Sequence, residues 1–171
     1  MTSEIFQDEI LVPKARVAVL IGKKGRVKKH IEKKGRVKIE IDKFGQVIIK
    51  SKDAISIMIS RKVIEAIGRG FNPEIAEKIF KDDFGYELVS FQNHITKKSD
   101  VPRLRGLIIG AGGKSRQTIE RLTGTRLSVY GKTVAIIGLV SDVSKARHAV
   151  EMLLTGARHT TVYRFLEHGG Q

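Results

Sequence analysis

Two Gly-x-x-Gly tetrapeptides are the segments of this sequence best suited to bind a charged ligand. They are Gly22-Lys23-Lys24-Gly25 and Gly110-Ala111-Gly112-Gly113. Glycine lets the main chain turn sharply without placing a Cβ atom in the path of a ligand. Where a helix follows the turn, its free N–H groups and the positive end of its dipole favour an anion such as phosphate. The pattern therefore predicts two phosphate-binding loops.

Cations surround the first loop more densely than the second. Nine Lys and Arg residues against a single acid lie within residues 23–38. Arg26 and Lys29, one turn along the following helix, are expected to reach neighbouring phosphates. The second loop has no basic residue between its outer glycines, so Lys114 and Arg116 beyond it are expected to supply the positive charge.

The charge of the whole chain indicates a polyanionic partner. Its 171 residues include 32 Lys and Arg against 18 Asp and Glu, a formal net charge of +14. Such an excess favours nucleic acid, because each neutralised phosphate releases condensed counterions; the alternative is a charge that serves solubility alone. The absence of cysteine excludes disulfides and thiolate metal sites. With no apolar run near 18 residues and no signal-like start, we expect a cytoplasmic protein that does not enter a membrane.

The second half of the chain repeats the first. The matched segments are residues 20–25 with 108–113, Ile31-Glu32 with Ile119-Glu120, Gly35 with Gly124, and Asp53 with Asp142. A single duplication at this spacing predicts two copies of one supersecondary unit rather than a solenoid, which needs shorter and more numerous repeats.

Hydrophobic periodicity predicts the same order of elements in both copies. In the first copy these are a strand at 9–12, helices at 14–21 and 25–34, strands at 37–42 and 46–50, and a helix from Asp53 to about Ile67. In the second they are a strand at 86–91, helices at 102–109 and 114–122, strands at 125–130 and 133–137, and a helix at 142–154. Gly35 is expected to end its helix. A connecting helix is predicted at 73–80, and a short helix near 162–166.

The doubled order β-α-α-β-β-α, with Ile-Gly-x-x-Gly between its first two helices, resembles the type I KH domain. The resemblance covers nearly the whole chain. It implies an α+β fold of two type I KH domains packed together through a helical linker. The implied divisions are residues 1–70 for the first domain, 71–84 for the linker, 85–156 for the second domain and 157–171 for a C-terminal tail.

A KH loop of this kind clamps about four nucleotides of single-stranded RNA, with bases in an apolar groove beside it. The resemblance therefore implies RNA-binding roles for Gly22, Lys23, Lys24, Gly25, Arg26, Lys29, Gly110, Ala111, Gly112, Gly113, Lys114 and Arg116. The expected groove floor consists of Ile21, Ile39, Ile109 and Leu127. Aromatic residues make up only 6% of the chain, which disfavours RNA-binding modules that stack bases on aromatic platforms.

The second copy resembles more specifically the archaeal form of the partner-of-Nob family. The residues that carry this resemblance are Ile109-Gly110-Ala111-Gly112-Gly113-Lys114, Thr118-Ile119-Glu120, Thr123-Gly124-Thr125, Gly131-Lys132 and residues 134–138. It implies binding near the 3′ end of small-subunit (16S) rRNA during ribosome maturation and assistance to the Nob endonuclease. It also implies a contact with the α subunit of translation initiation factor two.

Other functions have weaker support. Gly113-Lys114-Ser115 and Gly131-Lys132-Thr133 lack the glycine that a P-loop needs five positions earlier, where Ile108 and Arg126 stand. The five histidines show no metal-ligand spacing, and we expect no cofactor, no metal and no enzymatic activity. A general RNA chaperone, a regulator of messenger RNA, a protein scaffold with vestigial KH folds and a nucleotide-using enzyme remain as alternatives.

Overall fold

A computed structural model of the chain describes residues 3–170. The chain divides between Asp82 and Asp83 into two compact units, called here the first and second unit. Each contains one three-stranded antiparallel sheet together with helices. The predicted α+β class with two type I KH folds is confirmed. No helix among residues 3–170 combines the length and apolar character needed to cross a membrane.

The first unit follows the predicted order of elements. They are β1 (Phe6–Leu11), α1 (Val17–Ile21), α2 (Arg26–Gly35), β2 (Lys38–Ile41), β3 (Gln46–Ser51), α3 (Ala54–Gly68) and α4 (Pro73–Ala76), with 3-10 turns at Lys14–Arg16, Lys23–Gly25 and Glu77–Phe80. The strand order β1-β3-β2 leaves β2 at an edge of the sheet. Asp53 caps α3 as predicted, since its side chain accepts a hydrogen bond from the N–H of Ile55.

The core of the first unit lies between its sheet and its helices. Ile39 pairs with Ile49 across β2 and β3, and both side chains are buried because alternate residues of a strand face the same side. Leu20 of α1, Ile31 of α2 and Ile64 of α3 are fully buried against that face. The packing fixes α1 and α2, and hence the loop that joins them.

The second unit repeats this arrangement. Its elements are β4 (Phe84–Ser90), α5 (Asp100–Ile109), α6 (Lys114–Thr123), β5 (Arg126–Tyr130), β6 (Thr133–Leu139), α7 (Val140–Leu154) and α8 (His159–Glu167), with 3-10 turns at Gln92–His94 and Ala111–Gly113. The strand order is β4-β6-β5, which places β5 at the edge that corresponds to β2.

The residues after α7 form part of the core of the second unit. The predicted helix near 162–166 is confirmed and is longer, as α8. Val162 and Leu166 are buried within the hydrophobic cluster of this unit. His159 Nε2 lies 2.8 Å from the carbonyl oxygen of Leu107, which ties α8 to α5. Likewise α4 and the turn after it bury Ala76 and Ile79 and contact α3.

The prediction that Gly35 ends its helix is wrong by one residue. Helix α2 includes Gly35, and the left-handed residue that ends it is Arg36, at φ 56°. A Cβ atom on Gly35 would lie 2.1 Å from Ser60 Oγ, so this glycine permits the close approach of α2 to α3. Gly124 ends α6 in the left-handed conformation, at φ 73°. The counterpart of Gly124 is therefore Arg36.

Candidate nucleic-acid interface

The two Gly-x-x-Gly loops have the same backbone conformation. Gly22 lies at φ 74°, ψ 172° and Gly110 at φ 75°, ψ 172°. Gly25 lies at φ 74°, ψ 15° and Gly113 at φ 79°, ψ 10°. Two segments with different side chains adopt one shape, so the shape follows from the glycine positions and the helices on either side.

The first glycine of each loop is required by packing within the protein. A Cβ atom on Gly22 would lie 2.4 Å from Cγ2 of Val27, and one on Gly110 would lie 2.7 Å from Cβ of Ser115. Positive φ combined with ψ near 180° is also a conformation that essentially only glycine adopts. This glycine therefore lets the loop fold back on the first turn of the following helix.

The second glycine of each loop faces more open space. The nearest atom to a Cβ on Gly25 would be Lys29 Cε at 3.8 Å, and on Gly113 it would be Gln117 Nε2 at 3.7 Å. The absent side chain leaves room for a ligand to approach the backbone. No side chain caps the start of α2 or α6, but the first N–H of each helix, on Arg26 and Lys114, already donates to the carbonyl oxygen of Lys23 and of Ala111 respectively. Main-chain donors for that ligand would therefore come from later N–H groups of the first turn.

The side chains predicted to bind RNA lie around these loops. Exposed members of the set are Lys23, Lys24, Arg26, Lys29, Ala111, Gly112 and Lys114. Arg116 differs, because its guanidinium Nη1 lies 3.0 Å from Glu120 Oε1 in an ion pair along α6. The structure thus brings together the predicted residues of each loop, with Arg116 already engaged by a carboxylate.

A groove beside the first loop offers space for bases. This loop groove has a volume of 270 Å³ and is lined by Ile21, Gly25, Lys28, Lys29, Glu32 and Ile41. Ile39, which was expected to form the groove floor, does not line this loop groove; it is 2% exposed and lines a second, larger groove together with Arg36 and Lys38. Its counterpart Leu127 is 4% exposed. Ile41, two residues further along β2, takes the place expected for Ile39. Ile21 and Ile109 are half-buried, as a groove wall requires.

In each unit a glutamate joins the helix after the loop to the edge strand. Glu32 Oε2 accepts a hydrogen bond of 2.9 Å from the N–H of Ile39, and Glu120 Oε1 accepts one of 2.9 Å from the N–H of Leu127. Each carboxylate therefore links the helix after the loop to the edge strand. The repeat of Ile31-Glu32 as Ile119-Glu120 was the sequence signal for this role.

The same hydrogen bonds define which main-chain groups face the groove. The N–H of Ile39 points away from β3, so alternation turns the N–H and C=O of Ile41 the same way. The neighbouring Asp42 N–H, in contrast, donates to Gln46 at 3.0 Å. The edge of β2 thus offers a donor and an acceptor beside the apolar side chain of Ile41.

Metal chemistry finds no support in the described part of the chain. Residues 3–170 contain no group of three or more His, Asp or Glu side chains placed to hold a metal ion. His30 Nε2 instead lies 3.2 Å from Glu77 Oε2. His148 packs its ring against Phe165 at a centroid distance of 4.9 Å.

Family models match both units of the chain. Residues 86–170 match the eukaryotic-type KH domain (KH-domain type I), and residues 7–67 match the KH domain. A KH domain-containing protein of Methanocaldococcus jannaschii is 51% identical over 164 residues, which cover 93% of this chain and 72% of that protein.

Two solved structures from Pyrococcus horikoshii are similar over nearly the whole chain. One is Dim2p, with 43% identity, a TM-score of 0.87 and coverage of 95% of this chain and 99% of the other. The second is a chain of the a/eIF2α–aDim2p–rRNA complex, with 42% identity, a TM-score of 0.88 and coverage of 96% and 94%.

Proposed function

Because this chain belongs to the archaeal partner-of-Nob family of KH-domain RNA-binding proteins, we propose that it holds the 3′-end region of 16S rRNA during ribosome maturation. In this role it would assist the Nob endonuclease and work in the cytoplasm without enzymatic activity of its own. The observation that carries the proposal is the pair of Gly-x-x-Gly loops with one backbone shape, each followed by a helix whose first-turn N–H groups have no side-chain cap. The relative from Pyrococcus horikoshii in complex with rRNA supports the choice of RNA.

The proposed mechanism is to hold and position the strand. Main-chain N–H groups at the starts of α2 and α6 bind phosphates, while lysines next to the loops neutralise their charge. Bases enter the grooves, where the side chain and edge groups of Ile41 contact them in the first unit. The residues proposed to contact the RNA backbone are Gly22, Lys23, Lys24, Gly25, Arg26, Lys29, Gly110, Ala111, Gly112, Gly113, Lys114 and Arg116.

Two clamps in one chain make the binding stronger than either clamp alone. When both engage one strand, the second contact becomes intramolecular, and the gain in affinity is roughly 10² to 10⁴. The two loops differ in the carboxylate beside them: Glu32 lines the loop groove of the first unit, whereas Glu120 of the second unit is paired with Arg116.

Charge reversal at each loop tests the proposal. We expect Lys23→Asp/Lys24→Asp and Ala111→Asp/Gly112→Asp each to weaken binding to an oligonucleotide with the 16S 3′-end sequence, and together to abolish it. Fluorescence anisotropy against salt should give a log–log slope of about −2 to −4 for the unchanged protein, at roughly −0.7 for each of three to six phosphate contacts. A scrambled oligonucleotide of the same composition tests sequence preference.

A control variant separates local contacts from net charge. Lys62→Asp/Lys78→Asp makes the same change of charge as Lys23→Asp/Lys24→Asp, on exposed positions of α3 and the turn after α4. It should retain most of the affinity. Equal losses in the control and loop variants, or full affinity in the combined loop variant, would contradict RNA binding at these loops.

The proposed protein partners need separate tests. The complex from Pyrococcus horikoshii contains a/eIF2α, which supports the α subunit of initiation factor two as a partner of this chain. Size-exclusion chromatography of the two purified proteins should give a joint peak. For the Nob endonuclease, we expect this chain to raise the rate or accuracy of cleavage of a 16S precursor, and the combined loop variant to lose that effect.

A further inference from the structure

Two cations of the first unit stand in backbone conformations that usually require glycine. Among residues 3–170, the non-glycine residues with positive φ are Lys24 at 55° and Arg36 at 56°. The second unit has Gly112, at φ 60°, and Gly124, at φ 73°, in the corresponding places. A side chain is strained in this region, because its Cβ crowds the neighbouring carbonyl. The first unit therefore has a strained residue at each of these two positions, and both strained residues carry a positive charge.

These two cations lie at opposite ends of α2. Lys24 belongs to the loop before the helix, and Arg36 follows its last residue. Ten helical residues span about 15 Å at 1.5 Å each. Lys24 lies in the loop already assigned to phosphate binding, while Arg36 lies beyond the loop groove and has no role there.

A second groove lies at the Arg36 end of the helix. This distal groove has a volume of 740 Å³ and is lined by residues that include Ile5, Lys28, Arg36, Val37, Lys38 and Lys52. It shares Lys28 and Glu32 with the loop groove, so the two grooves adjoin at these residues beside α2 and β2.

The distal groove is strongly positive. Five of its lining residues are Lys or Arg, and only two are acidic. Both acids have hydrogen-bonding partners: Glu32 accepts the N–H of Ile39 at 2.9 Å, and Glu40 lies 3.4 Å from Lys50 Nζ. Ile5, which is 63% exposed, adds an apolar surface beside the cations. A ligand with a repeated negative charge and flat apolar groups fits this combination.

The second unit lacks the same feature. Lys38 of β2 and Arg126 of β5 occupy equivalent positions in the two units. Lys38 pairs with Lys50, whereas Arg126 pairs with Ile137, so an apolar residue of the second unit stands where the first unit has Lys50. Arg126 itself lies 3.9 Å from Glu120 in an ion pair. The charge at the distal end is therefore specific to the first unit and is not required by the KH fold.

We propose that the distal groove is an RNA subsite that extends the path of the strand along the first unit beyond the roughly four nucleotides held at a Gly-x-x-Gly loop. Arg36 and Lys38 bind phosphates there, and Ile5 contacts a base. The proposal rests on RNA binding at the loops, because its occupant is the continuation of the strand that they hold. The first unit then binds a longer segment than the second.

Arg36→Gly is the decisive substitution, because it separates binding from folding. The hydrogen bonds at this position use main-chain atoms of Arg36: its carbonyl oxygen accepts from Ser51 Oγ at 2.9 Å, and its N–H donates to the carbonyl oxygen of Glu32. Glycine retains both and relieves the strain. We expect Arg36→Gly/Lys38→Gln to leave the melting temperature of the first unit unchanged or raised by a few degrees.

The binding experiment uses the full chain with its second loop disabled by Ala111→Asp/Gly112→Asp. Affinities for RNA oligonucleotides of four, six and eight nucleotides are compared in this parent and in Arg36→Gly/Lys38→Gln. We expect similar affinity for the four-nucleotide strand. For the eight-nucleotide strand we expect the variant to bind roughly 4- to 25-fold more weakly than the parent, at 2- to 5-fold for each of the two removed charges. The log–log salt slope of the variant should be shallower by about 1.4, at roughly 0.7 for each lost phosphate contact. Longer strands also offer more binding registers, but this advantage is the same in both proteins.

The possible outcomes separate this proposal from the one on which it rests. An equal gain with length in parent and variant would overturn the distal subsite, provided that Lys23→Asp/Lys24→Asp still abolishes binding of the four-nucleotide strand. Loss of RNA binding to the parent at every length would count against the first loop, which is the loop left intact in that protein, and would overturn the distal subsite with it. The charge control Lys62→Gln/Lys78→Gln should behave as the parent does. Binding of a poly-glutamate peptide to the parent that Arg36→Gly/Lys38→Gln abolishes, with equal affinity of both proteins for the eight-nucleotide strand, would identify an acidic protein segment as the occupant and overturn the proposal.

Discussion

Alanine should affect mainly folding at the first glycine of each loop and mainly RNA binding at the second. Alanine at Gly22 places a Cβ 2.4 Å from Val27 Cγ2, where carbon atoms normally approach no closer than about 3.5 Å. It also forces a conformation that costs roughly 1 to 3 kcal/mol in a non-glycine residue. A further 1 to 3 kcal/mol for overpacking gives a total of about 2 to 6 kcal/mol.

Alanine at Gly25 meets no such obstacle, because its Cβ would have its nearest neighbour at 3.8 Å. Its cost is the left-handed conformation alone, about 1 to 2 kcal/mol. The reduced entropy of the unfolded chain offsets about 0.4 to 1 kcal/mol of that cost. The new methyl group lies on the open side of the loop, where the RNA backbone is proposed to approach. Gly25→Ala should therefore weaken RNA binding far more than it weakens folding.

Calorimetry of the full chain, with hydrogen exchange to assign each transition to a unit, measures the effect on stability. At about 4 to 8 °C per kcal/mol for a unit of this size, Gly22→Ala should lower the melting temperature by about 8 °C or more, and Gly25→Ala by a few degrees. Gly110→Ala and Gly113→Ala provide the matched pair in the second unit. The reasoning fails if both substitutions in a loop shift the melting temperature equally, or if Gly25→Ala leaves RNA affinity unchanged while the Lys23→Asp/Lys24→Asp variant loses it.

Two further predictions concern the carboxylates. Glu32→Ala should lower the free energy of unfolding by about 1 to 3 kcal/mol, because the N–H of Ile39 loses its acceptor. Glu32→Gln keeps an oxygen at that place, so it should retain most of the stability and, without the negative charge, tighten RNA binding. Urea unfolding and fluorescence anisotropy measure the two effects, and equal destabilisation by both substitutions would contradict this prediction. The main-chain N–H groups of Thr96 and Lys97 hold the pKa of Asp100 well below its usual 3.8 by binding the charged form. This stabilisation is present above pH 4 and is lost as the pH falls further, so Asp100→Asn should flatten the acid dependence of stability between pH 5 and pH 2, and an unchanged slope would refute the assignment.

Much of the fold could be predicted from local sequence. The alternation of Val37, Ile39 and Ile41 with charged residues placed β2 correctly, and Asp53 marked the start of α3. Glycine spacing placed both loops, because few other residues adopt positive φ at low cost. The duplication then showed that each weak local signal occurred twice in the same order, which made the fold identifiable.

The candidate site was harder to predict where it depends on packing. The pattern assigned Ile39 to the groove floor beside the loop, but only the packing of α2 against β2 shows that Ile41 lines that groove and Ile39 the larger groove beyond it. Glu32 was counted as an isolated acid among cations, since its acceptor role depends on a strand seven residues further along the chain. The distal groove joins Arg36 and Lys38 to Lys52, which a turn of the sheet brings close.

The sequence by itself determined the repeat, the order of elements, the two glycine loops and the excess of positive charge, because each depends on residues close together in the chain. The tertiary structure alone decided which residue ends α2. Gly35 looked like a helix stop, yet it lies against Ser60, 25 residues away, and Arg36 takes the left-handed conformation instead. Contacts between distant segments compete with local preference, and at this position packing is the stronger of the two.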